Sequence, residues 1–178
     1  LATQALRNKQ SALKSDDEDK ILEVIIDCST RWNSTLDMLD RLVKLRWAIG
    51  AVLSDPNFTK RSDASTMEMT DDNWLLAQAV ITILKPLKKV TTMSSGQKYP
   101  SLSSVYPQLF IVLRNVRAEK PNDCAAAKKC RNAIYTEITT RYYPDGYSVL
   151  NGPKASVLDP RYKLLKCFEE SRRISILN

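Results

Sequence analysis

Along most of the chain, apolar residues recur at steps of three and four. From Ser34, the residues Leu36, Leu39, Val43 and Trp47 fall on one side, while Asp37, Asp40, Arg41 and Lys44 fall on the other. That pattern predicts an amphipathic helix ending near Ser54, stopped by Asp55-Pro56-Asn57. The polar run 60–70 reads as a surface loop. Thr70, followed by Asp71 and Asp72, offers a hydroxyl cap and two carboxylates at the positive end of a second helix dipole. This helix carries the stripe Leu76, Val80, Ile83, Leu87 and Val90, contains Pro86 as an expected kink, and closes at Ser94-Ser95-Gly96. A third helix opens at Ser101 to Ser104 with Val105, Leu109, Val112 and Val116 on one face and Pro107 in its first turn. After Pro121-Asn122-Asp123, a fourth turns Cys130, Ile134, Ile138 and Tyr142 inward, with Lys128, Lys129 and Arg131 largely off that stripe. Pro144-Asp145-Gly146 and Asn151-Gly152-Pro153 read as turns. A last helix is expected after Asp159-Pro160, packing Leu164, Leu165 and Phe168.

The first 20 residues are polar, basic and then acidic, and fit a short helix or a connector. Ile21 to Ile26 is β-branched and six residues long, a short strand or an extended lead-in packed against the first helix. Alternating strand patterns are otherwise nearly absent. The expected fold is therefore all-α, of about five or six helices, with room for one short N-terminal strand. Residues 1–26 read as a connector and 27–178 as the helical domain.

Composition narrows the chemistry. The 178 residues include no histidine, which removes Ser/His and Cys/His nucleophile pairs and imidazole zinc ligands from consideration. A formal charge of +7 favours anionic partners. The four cysteines (Cys28, Cys124, Cys130, Cys167) form no C-x-x-C pair and read as reduced thiols. No apolar run approaches the ~18 residues of a membrane span. The chain opens on Leu1 and reads as a piece of a longer protein from a reducing compartment, with no signal peptide pattern.

The segment DCSTRWNSTLDML, from Asp27 to Leu39, concentrates the most specific chemistry. It sets Arg31 and Trp32 just before a helix capped by Asn33, Ser34 or Thr35, so an indole and a guanidinium project beside free backbone amides. Such a corner suits a base and a phosphate. In the alternative, Trp32 is an ordinary core aromatic and Arg31 pairs with Asp27 or Asp37. Trp47 and Trp74 lie on inward faces and read as core. Lys128, Lys129 and Arg131, and the Arg172-Arg173 pair, are secondary candidates for contact with phosphate. Lys85, Lys88 and Lys89 fit a solvated face at least as well. Asp27, Asp159, Glu169 and Glu170 read as capping or surface carboxylates, and Asp159 is expected to contact Arg161 locally.

Five blocks in order carry a family resemblance: TRWNSTLDMLDRLVKL at Thr30 to Leu45, W-x8-ILKPL at Trp74 to Leu87, TTMSSG at Thr91 to Gly96, PSLSSVYP at Pro100 to Pro107, and ASVLDPRYK at Ala155 to Lys163. Together they resemble the hAT superfamily of transposases and its domesticated zinc-finger BED-type relatives. The resemblance implies the helical insertion domain that interrupts a ribonuclease-H-like core. In that family an Arg-Trp pair reaches the active site, and the Trp stacks on a flipped base while flanking DNA is cut through a hairpin. The pair aligns with Arg31 and Trp32, flanked by Asn33 and Ser34. The family's three catalytic acids, its Cys-x-x-His motif, its BED finger and its dimerisation region have no match here. The resemblance thus implies a piece that cuts no DNA alone and holds no cofactor, with Mg or Mn in the parent core of an active enzyme. Implied partners are transposon-end DNA, that core and, through other regions, a second copy. No membrane role is implied, and the compartment is the nucleus. The other outcome is a domesticated nuclear regulator that keeps the domain as a protein-interaction scaffold.

Overall fold

The computed structural model describes residues 2–13, 21–96, 101–118, 120, 123–142, 151–162, 164, 166, 170 and 173. Among the described residues seven helices are delimited, in the order α1 (Ala2–Leu13), α2 (Trp32–Leu53), α3 (Arg61–Met67), α4 (Asp71–Gly96), α5 (Leu102–Arg117), α6 (Ala125–Tyr142) and α7 (Asn151–Leu158). Among the described residues there is no strand, and the fold is all-α. The chain divides into two compact units, Leu1–Ile81 and Thr82–Asn178.

In the first unit, α1 packs against the second half of α2. Ala5 and Leu6 meet Leu45, Ala48 and Val52, with Leu22 and Ile49 closing over them. Residues 1–26, expected as a connector, thus supply part of this unit's core. The stretch 21–28 forms no regular element and no ladder, and at Leu22 its backbone finds a side-chain partner instead. The Gln10 amide accepts from the Leu22 N–H and donates to the Leu22 carbonyl, both at 2.8 Å. One glutamine therefore replaces the two hydrogen bonds that a neighbouring strand would provide. Arg41 adds a donor to the Glu23 carbonyl at 2.6 Å, and Arg7 pairs with the Glu23 carboxylate.

Helix α2 takes in Trp32, which was expected to precede it, and is closed after Leu53 by the C-cap Ser54, whose N–H reaches back to the Gly50 carbonyl. The stretch 60–70, expected as a loop, contains α3 instead. Lys60 is extended, its carbonyl receives the Asp63 and Ala64 amides, and Asp63 sits at the positive end of the dipole. No α3 residue is buried, so hydrophobic periodicity carried no sign of it. Thr70 caps α4 as expected, accepting the Asn73 N–H at 3.3 Å. Trp74 is buried, but Trp47 is 79% exposed and is not core. Arg46 lies over both rings, 5.2 Å from the Trp74 centroid and 6.0 Å from that of Trp47, and pairs with Asp71 at 2.5 Å.

In the second unit, α5 packs against both α6 and α7. Ile83, Val112 and Val116 are sealed from solvent, while Tyr142, expected inward, is 46% exposed. Pro107 lies a turn deeper in α5 than expected. Having no N–H, it leaves the Ser103 carbonyl without its helical donor. The buried Ser156 hydroxyl of α7 donates to that carbonyl at 2.7 Å. Asn151-Gly152-Pro153, expected as a turn, forms the start of α7. The residues directly after Pro160 form no helix, since Arg161, Tyr162 and Leu164 lie in turns and Leu164 is exposed, whereas Glu170 and Arg173 further on are helical. Leu165, Phe168 and the Pro144-Asp145-Gly146 turn lie outside the described residues.

The PSLSSVYP and ASVLDPRYK blocks clasp one another. Asp159 accepts from the Ser103 hydroxyl at 2.6 Å and from the Arg161 guanidinium at 2.7 and 3.0 Å, and Arg161 also reaches the Ser101 hydroxyl at 3.4 Å. Hydrogen bonds from Arg161 first, and then from Ser103, hold the Asp159 carboxyl far below the usual carboxylate range. A folded-state value below the unfolded one makes this contribution fully present above about pH 4–5 and lost as acidity increases below that. Asp159→Asn is expected to flatten the acid limb of the second unit's stability, read by urea unfolding at a series of pH values. An unchanged limb would remove the clasp from the argument.

Candidate functional site

The start of α2 is fixed by a local network that begins at Asp27. The Cys28 carbonyl accepts the Arg31 N–H at 2.8 Å, closing a turn that feeds the helix. Ser34 donates its hydroxyl proton to Asp27 Oδ1 at 2.5 Å while its oxygen accepts the Cys28 N–H at 2.8 Å. Thr35 donates to the same carboxylate oxygen at 3.0 Å. Hydrogen bonding by Ser34, seconded by Thr35 and the Cys28 amide, holds the Asp27 carboxyl below its ordinary value against a smaller opposing effect of desolvation. A carboxylate ahead of the first helical turn also meets the positive end of the dipole. Asp27 thereby braces the start of α2 through the Ser34 and Thr35 hydroxyls.

This network settles where the expected site residues point. Arg31 occupies the N-cap position with extended backbone and makes no side-chain cap bond. It pairs with neither Asp27 nor Asp37, and its guanidinium has no hydrogen bond or ion pair among the described residues. Trp32 is the first residue of α2 and is 42% exposed, so it is not an ordinary core aromatic. Ser34 is committed to the turn. Asn33 is partly buried and caps nothing; its Oδ1 is enclosed without a partner. The corner therefore presents one aromatic face and one uncommitted cation from a braced helix end.

The second set of expected residues lies in the other unit. Lys128 and Lys129 are exposed on α6. Arg131, expected to face phosphate, is 3% exposed and is turned inward instead. Its Nε donates to Asp123 Oδ2 at 2.7 Å, and Nη1 approaches the Asn115 and Val116 carbonyls at 3.3 Å each. Those carbonyls belong to the last turn of α5, where a helix has no donors of its own, so a buried cation completes the helix end. Burial pushes the Asp123 carboxyl up, but hydrogen bonds from Arg131 and the Lys120 amide, with the Arg131 and Lys128 charges, outweigh it and leave the group below its ordinary value. Beside this pair lies a groove of about 440 Å³ lined by Val116, Arg117, Lys128, Arg131, Asn132 and Tyr135. Arg117, Asn132 and Tyr135 carried no sequence signal for it, since the groove exists only once α5 and α6 pack. Arg172 lies outside the described residues.

Among the described residues no group of three or more Cys, Asp or Glu side chains could hold a metal ion. Cys28 and Cys124 are exposed free thiols and Cys130 is a partly buried one. No described helix is long and apolar enough to cross a membrane.

Residues 3–83 match the family model of the ZBED1 RNase-like helical domain. That span takes in α1, α2 and α3 and nearly coincides with the first compact unit. The human zinc finger BED domain-containing protein 4 is 26% identical over 150 residues, which is 83% of this chain and 12% of that protein. The chain therefore spans only a small part of that relative's length. No solved structure matches the chain.

Proposed function

We propose that the chain is a hAT-derived, transposase-related helical domain of the zinc-finger BED type, as its similarities support, and that it holds distorted DNA through Arg31 and Trp32. The observation that carries this reading is the exposed Trp32 ring, fixed at the first position of a long helix beside an uncommitted guanidinium. A base that leaves its stack loses contact area, and an aromatic face restores about 1–3 kcal/mol of it. Arg31 offers donors to the adjoining phosphate, and the bracing by Asp27, Ser34 and Thr35 means little ordering is needed on binding. The DNA is a hairpinned or otherwise distorted element end. Its cleavage belongs to the ribonuclease-H-like core of the parent, where Mg or Mn would act. The domain's part is to present and hold the substrate, in the nucleus.

One observation favours the scaffold reading as a second function. Trp47 is 79% exposed and borders a groove with Met67, an aromatic and a thioether of the kind that protein interfaces use. Trp32 separates the two. Trp32→Ala is expected to weaken binding of a labelled DNA hairpin with unpaired tip bases by about tenfold, the lower half of the stacking range. Melting temperature should change little, because the ring is partly exposed. Fluorescence anisotropy with the hairpin and with a flush duplex of equal length measures this. Equal hairpin affinity for the variant and the parent chain would leave only the scaffold.

A further inference from the structure

Around the junction of α5 and α6, several cations have no opposing acid among the described residues. Arg114, Arg117, Lys120, Lys128 and Lys129 are all exposed, and none forms an ion pair with a described residue. Two acids fall among them in sequence: Glu119 lies outside the described residues, and Asp123 is enclosed against Arg131, so its charge is answered within the fold. Glu137 on the same helix pairs with Arg141 at 3.0 Å. Internal pairing thus leaves the groove rim positive, and the groove is set over a neutralised floor.

We propose that this groove is a second, separate nucleic-acid site, one that takes the backbone of an unpaired strand with a base against Tyr135. Arg117 and Lys128 stand at its edges as donors to phosphate. Asn132 offers both a donor and an acceptor, and Tyr135 a partly exposed ring, the two groups that meet a base edge and a base face. An acidic peptide fits less well. Such partners anchor through apolar side chains, and the one aliphatic residue among the described lining, Val116, is 1% exposed and offers no such pocket. The site lies wholly in the second unit and does not depend on Arg31 or Trp32.

The test uses the full 178-residue chain and a labelled oligo-dT strand, with anisotropy read between about 50 and about 200 mM salt. The paired charge reversal Arg117→Glu with Lys128→Glu is expected to weaken binding roughly tenfold or more. Losing two phosphate contacts should lower the salt slope by about 1.4, at about 0.7 per contact on single strands. The milder Arg117→Gln with Lys128→Gln should show the same direction, and circular dichroism checks that both variants fold. Tyr135→Phe should bind like the parent and Tyr135→Ala more weakly. Trp32→Ala serves as the cross-check, since loss there with intact oligo-dT binding by the groove variants would overturn this site and spare the first. An unchanged salt slope in both charge variants would overturn the proposal. So would displacement of the strand by polyglutamate of equal length at equal concentration, which would assign the groove to acidic protein.

Discussion

Arg131→Ala is expected to destabilise the second unit by about 3–5 kcal/mol, the usual cost of removing one partner from an enclosed ion pair. The Asp123 side chain is 2% exposed, so the deletion leaves a nearly enclosed carboxylate with the Lys120 amide but without its cation. It also strips the Asn115 and Val116 carbonyls of their donor at the end of α5. Two penalties from one truncation explain why the effect should exceed that of an ordinary surface arginine, which lies within about 0.5 kcal/mol. Urea unfolding of the chain measures it. The double variant Asp123→Asn with Arg131→Met should recover a large part of the loss, because neither charge is then buried. A loss below about 1 kcal/mol for Arg131→Ala would show the pair to be solvated in solution.

Arg131 also shows where sequence reading fails. A helical stripe sorts residues into inside and outside by polarity, and a cation between Lys129 and Asn132 falls outside by that rule. What draws it inward is the open end of α5, a partner that exists only after the two helices pack. Trp47 fails for a related reason. At about 100° per residue, Leu36, Leu39, Val43 and Trp47 share one side of α2, while the buried Leu45, Ala48 and Val52 lie on roughly the opposite side. Both sides are apolar, and the sequence does not say which one α1 covers. The start of α4 was legible because Thr70 acts on an amide three residues on, whereas α2 starts at Trp32, with Arg31 at its N-cap and no side-chain cap bond, ahead of the expected Asn33, Ser34 or Thr35 cap. The Asp27 network closes over eight residues, so its geometry follows from local chemistry alone.

Ser156→Ala is expected to cost about 1–3 kcal/mol, the desolvation penalty of a buried acceptor left without a donor. Ser156 is fully enclosed, and the carbonyl it serves lacks a helical donor because Pro107 stands where the N–H would be. The two residues lie in different sequence blocks, PSLSSVYP and ASVLDPRYK, yet on this account they form one unit: a proline in α5 requires a hydroxyl from α7. A double-mutant cycle tests the dependence directly. Pro107→Ala restores an N–H to α5, which can then bond the Ser103 carbonyl. Ser156→Ala should therefore cost less in that background, with a coupling of about 1 kcal/mol. Strictly additive losses in urea unfolding would show that the Ser103 carbonyl does not depend on Ser156. Coupling of the expected sign would mean that the proline and the serine act together, so a change at one position alters the requirement at the other.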